Sequence, residues 1–160
     1  MQCFLGVIPF EELPFARLLG RSRYLPAGVL HFSLEGRVAL CTGGCIGRGG
    51  LLLRRGCPHL LGAIGSDEVR ETAEDLLTAY NRLGLRCGRR LAEGVCFAVW
   101  DGRRDRLLLG ATSDARCYVS HEEDGLWFSS EAAVLSHPIA VTLGVFPYDS
   151  FQPKKHRKQD

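Results

Sequence analysis

Residues 95–101 read VCFAVWD. In an extended chain Val95, Phe97 and Val99 lie on one face and Cys96, Ala98 and Trp100 on the other, so this strand is apolar on both sides. It needs cover above and below. The turn Asp101-Gly102-Arg103-Arg104 then hands it to a second apolar run, Leu107–Gly110, as a hairpin. A doubly covered hairpin in a chain with helical patterning elsewhere predicts an α+β layered fold.

The segment before this hairpin holds the clearest helical pattern, Asp67 to Leu83. Ser66 is a suitable N-cap, Asp67 and Glu68 sit at the positive end of the helix dipole, and Gly84 closes it. Val69, Ala73, Leu76, Tyr80 and Leu83 form one stripe. After the hairpin, strands are predicted at 116–120 and 126–129, joined by His121–Gly125, with a short helix from Ser130. Glu122, Glu123 and Asp124 read as a solvated turn, and Trp100 and Trp127 as core. A last apolar stretch, Ile139–Phe146, follows.

At the amino end, CFLGVI (3–8) reads as a buried strand and 11–19 as a short helix with Pro14 in its first turn. Val29–Phe32 and Arg37–Cys41 are strand candidates joined by Leu34-Glu35-Gly36. TGGCIGRGG (42–50) is too rich in glycine for a regular element. The pattern predicts one domain over 1–150 and a basic, flexible tail over 151–160.

Composition narrows the function. The 46% apolar content supports a folded core rather than disorder, and a net charge of +2 is too small to predict a nucleic-acid partner. No stretch has the length of a membrane-spanning helix, and Met1–Phe10 lacks the cationic start of a signal peptide. Seven cysteines without a framework spacing read as free thiols in a reducing cytoplasm. Cys41, Cys45, Cys57 and His59 offer a metal-site alternative, but their spacing is not a common zinc pattern. The glycine run lacks the lysine and hydroxyl ending of a phosphate loop. Its backbone amides at Gly43 and Gly44, with Arg48, offer a cradle for a small carboxylate. No histidine has an obvious acidic or cysteine partner along the sequence.

The second half resembles the glutaminase domain of class II glutamine amidotransferases, most closely asparagine synthetase and its relatives. The resemblance lies in Phe97-Ala98-Val99-Trp100-Asp101 and the basic hairpin continuing Arg103-Arg104-Asp105-Arg106-Leu107-Leu108-Leu109. It extends to Tyr118, to Leu126-Trp127-Phe128-Ser129-Ser130-Glu131, and to the helix Ala73–Leu83 ending at Gly84. It covers most of 66–138 and the first half loosely. It implies the N-terminal nucleophile (Ntn) hydrolase fold, a four-layer αββα sandwich with two packed antiparallel sheets between helices.

In active members of that family an N-terminal cysteine attacks the glutamine side-chain amide, with its own free amine as the base. Laying MQCFLGV on the family's usual Met-Cys-Gly-Ile-Phe-Gly-Val puts Gln2 where the nucleophile belongs and Cys3 where glycine is expected. A carboxamide is no nucleophile, and a residue as large as Gln2 leaves Met1 in place. The family's oxyanion asparagine and its following glycine correspond to Gly43-Gly44, so a side-chain donor is missing. The substrate-anchoring aspartate falls at Thr72, with Asp67 as a shifted alternative.

The resemblance therefore implies a silent glutaminase-like domain, as in β-lactam synthetases and lasso-peptide cyclases. It needs no cofactor and serves a separately encoded ATP-dependent synthetase, or a homo-oligomer, as a structural partner. The first alternative is an active glutaminase, with Met1-Gln2 removed, Cys3 as the nucleophile and Gly44 in the oxyanion site. The ligand positions to examine in either case are Gly43, Gly44, Arg48, Asp67 and Thr72, for glutamine or a small carboxylate. The second alternative is a metal- or anion-binding module.

Overall fold

The computed structural model describes residues 2–25, 30–44, 54–56, 59–66 and 71–152. In chain order the elements are β1 (Gln2–Pro9), α1 (Phe15–Ser22), β2 (His31–Glu35), β3 (Val38–Gly44), β4 (Arg54–Gly56), β5 (Leu60–Ser66) and α2 (Ala73–Leu83). A 3₁₀ stretch over Gly84–Arg90 leads to β6 (Val95–Asp101), β7 (Arg106–Ala111), β8 (Cys117–Glu122), β9 (Gly125–Ser129), β10 (Ile139–Val141) and β11 (Leu143–Pro147). Two antiparallel sheets result, one ordered β10-β8-β9-β1-β3-β2 and the other β11-β7-β6-β5-β4.

The alternation in VCFAVWD decides the layering. Cys96, Ala98 and Trp100 join Phe4, Ile8, Leu40, Leu61 and Phe128 in the apolar layer between the sheets. Val95, Phe97 and Val99 point outward and are covered by Leu76, Leu77 and Tyr80 of α2. On the opposite outer face, Cys3, Leu5, Val7, Ala39, Cys41 and Trp127 pack with Leu18 of α1. The order is thus helix, sheet, sheet, helix, in an α+β chain. Close approach is purchased by glycine at Gly110, where any Cβ would sit 2.2 Å from the Phe97 ring.

Several boundaries move. The expected helix from Asp67 begins at Ala73 instead: Ser66 ends β5, opposite Val95 of β6, and Thr72 is the N-cap. Thr72 Oγ1 accepts from the Asp75 amide at 3.2 Å, while the Asp75 carboxylate accepts from the Thr72 amide at 3.0 Å, a reciprocal capping box. The strand β5, seven buried residues, is hidden in sequence by the glycines of LLGAIGS. Helix α1 starts after Pro14 rather than containing it and runs on to Ser22. Thr42, Gly43 and Gly44, expected in a loop, continue β3 and pair with Phe4, Cys3 and Gln2.

The last apolar stretch divides at Thr142, β10 joining one sheet and β11 the other. Phe151 packs with Phe10 and Tyr148. Among the described residues no helix is long and apolar enough to cross a membrane.

Candidate functional site

A crevice of about 420 Å³ opens at one end of the sandwich, where the head of β1, the end of β5 and the loops before β6, after β7 and after β9 converge. Gln2, Ser66, Glu93, Asp114, Ser130 and Glu131 are among its lining residues. Gly65 permits this convergence, since a Cβ there would lie 3.1 Å from Ser130 Cβ and 3.2 Å from the Gln2 carbonyl oxygen. Ser130 ties the β9 end to β1, its Oγ accepting from the Phe4 amide at 3.0 Å.

Strand alternation separates Gln2 from Cys3. Gln2 shares its face with Phe4, so its side chain enters the crevice; it is only 3% exposed, and its Nε2 has no hydrogen-bond acceptor among the described residues. A buried donor without a partner costs about 1–3 kcal/mol, so an acceptor oxygen placed there would be stabilised. Cys3 points the other way, into the layer under α1. Its thiol donates to the Gly43 carbonyl at 3.2 Å, and burial pushes its pKa up to about 11. A thiol in that state is protonated at neutral pH and a poor nucleophile. Cys96 is a crevice-lining thiol, and it donates to the Arg116 carbonyl at 2.8 Å.

The remaining expected positions separate. Gly44 stands opposite Gln2 and Gly43 opposite Cys3 in the β1–β3 register. A Cβ at Gly43 would meet Leu25 and Leu30 at 3.2 Å, on the α1 side rather than in the crevice. Thr72 caps α2 and is not among the residues that line the crevice. Arg48 and Asp67 lie outside the described residues. Of the proposed metal ligands, Cys41 is buried under α1 and burial pushes its pKa up to about 12, while Cys45 and Cys57 lie outside the described residues. Among the described residues no group of three or more His, Cys, Asp or Glu side chains is placed to hold a metal ion.

Two polar clusters escaped sequence reasoning. Glu122 and Asp124, expected in solvent, hold α1 to the β8–β9 hairpin. Arg21 donates twice to the Glu122 carboxylate, at 2.9 and 2.7 Å, Arg17 donates to Glu122 at 2.7 Å, and Arg17 also pairs with Asp124. The Arg21 guanidinium lies 4.2 Å from the Trp127 ring centroid, and Trp127 Nε1 donates to Asp124 at 2.8 Å. Burial alone would raise the Glu122 pKa, but the Arg21 hydrogen bonds and charge bring it down to about 2.

On the other outer face, the Tyr80 hydroxyl donates to Asp101 at 2.7 Å and accepts from Arg106 at 3.1 Å. Asp101 also accepts from the Arg103 and Arg104 amides that shape the hairpin turn. His59 does have an acidic partner, Glu35, at 3.1 Å.

The crevice lining is polar and acidic. Its charged lining residues are carboxylates, suited to a cationic amine, and its buried carboxamide offers a donor to an oxygen. No protein-family model matches the chain, and no curated protein matches it.

Proposed function

We propose that this chain is a degenerate class II glutamine amidotransferase-like domain of Ntn-hydrolase type. It does not hydrolyse glutamine, and acts in the cytoplasm as the structural partner of a separate asparagine-synthetase-like, ATP-dependent ligase. The observation that carries this reading is the division of roles at the head of β1. The side chain entering the crevice is Gln2, a carboxamide, while the adjacent thiol of Cys3 is turned beneath α1 and held protonated. The helix–sheet–sheet–helix order and a crevice at the head of β1 support the fold assignment. Buried thiols at Cys3, Cys41, Cys87, Cys96 and Cys117 suit a reducing compartment.

The test combines intact mass with a glutaminase assay. Protein recovered from cells is expected to retain Met1 and Gln2 and to release no more ammonia from L-glutamine than its Cys3→Ala variant. Recovery of a chain starting at Cys3, with ammonia release that Cys3→Ala abolishes, would establish the active enzyme instead. Docking is read separately, by co-purification with a co-expressed synthetase of that type lacking its own glutaminase half.

A further inference from the structure

The outer edge of β2 carries apolar side chains in the open. The sheet order ends on β2, which pairs with β3 on one side and with no strand among the described residues on the other. Edge strands that stay single are commonly blunted by lysine, proline or a bulge. The strand HFSLE has no lysine or proline and pairs with β3 in unbroken register.

Phe32 stands opposite Cys41, so Phe32 and Leu34 face the α1 side; they are 40% and 58% exposed. Phe15, 48% exposed, lies 6.5 Å from Phe32 between ring centroids, and Leu19 follows one turn along α1. Leu30, also exposed, extends the patch at the start of β2.

We propose that this edge is the dimer interface of the chain, with a second copy adding its own β2 antiparallel across a two-fold axis at Ser33. In that register Phe32 lies opposite Leu34 of the second copy, and Leu34 opposite its Phe32. One five-residue strand supplies both halves of an isologous contact and joins two six-stranded sheets into one. The five apolar side chains remove roughly 450 Å² per copy from water, about half of the ~800 Å² per partner in a standard interface. Paired backbone edges and flanking polar side chains add to that, which places the affinity in the micromolar range rather than the nanomolar. The self-complementary register favours a second copy over an unrelated protein.

Sedimentation equilibrium of the purified full chain, from about 1 to about 500 µM, tests this. The mass is expected to rise from 17.6 kDa toward twice that value. Leu34→Lys and Phe15→Glu, both at exposed positions, are each expected to weaken dimerisation at least tenfold with unchanged circular dichroism. Leu143→Lys, at an equally exposed leucine on the other sheet, is expected to leave it unchanged. If Leu34→Lys unfolds the chain, Phe15→Glu reads the same contact from the helix. A chain that stays monomeric throughout, or a dimer that Leu143→Lys weakens as much as these two variants do, overturns the proposal and leaves the patch to another protein or to none.

Discussion

The two helices sit on equivalent outer faces and are held there by different physics. Helix α2 presents Ala73, Leu76, Leu77 and Tyr80 to its sheet and is bound mainly by apolar burial, with Tyr80 also hydrogen-bonded to Asp101 and Arg106. Helix α1 buries Leu18 and relies on Arg17 and Arg21, which reach across to Glu122, Asp124 and the face of Trp127. Apolar attachment is insensitive to pH and salt, whereas an ion-pair network is sensitive to both. The contrast explains why the attachment of one helix is legible in the sequence and that of the other is not. A stripe at helical spacing is local information; an ion pair between residues about a hundred positions apart is not.

The largest effect is expected at the apolar attachment. Leu76→Ala should destabilise the fold by about 2–5 kcal/mol, because it removes contacts and leaves a cavity between α2 and β5. Urea unfolding reads this directly, and the loss should be the same at pH 4 and pH 7.

Glu122→Gln should cost about 2 kcal/mol at neutral pH, since it leaves Arg17 and Arg21 without their shared carboxylate. Here the sign of the pH dependence is fixed. The Glu122 pKa is lowered on folding, from its ordinary 4.5 to about 2, so its contribution is complete above 4.5 and declines as pH falls toward 2. Wild type and variant should therefore converge in an acid titration. A gap that stays constant from pH 7 to pH 2 would show that α1 is held by shape alone.

Smaller effects sharpen the difference further. Tyr80→Phe should cost about 1 kcal/mol, as Asp101 retains its arginine and backbone donors. Thr72→Ala should cost about 1 kcal/mol through loss of the α2 cap. Hydrogen exchange should show the added opening confined to the first turn of α2.

Much of the fold was readable because strand alternation is a property of neighbouring residues. VCFAVWD announced cover on both faces, and the structure supplies the second sheet on one side and α2 on the other. The hairpin at Asp101–Arg104 and the strands at β8 and β9 were likewise local. The β5 strand was not, because its glycines erase the apolar signal; they are there so that Leu77 and Ser130 can approach the backbone. The start of α2 was misjudged for a related reason: Ser66 and Thr72 are both competent caps, and pairing of Ser66 with Val95 commits the former to a strand.

The candidate site was legible only at its first residues. Placing Gln2 and Cys3 at the head of a buried strand followed from MQCFLGV, whereas Glu93, Asp114 and Glu131 come together through loops from three parts of the chain.

What the sequence determined by itself was periodicity: two-residue alternation and helical stripes, set by backbone geometry and indifferent to distant partners. Which face of β1 opens on the crevice, which carboxylates meet which arginines, and which apolar edge has no strand beside it among the described residues all follow from the packed fold. Those outcomes depend on how two sheets stack, and stacking brings together residues that share no local pattern.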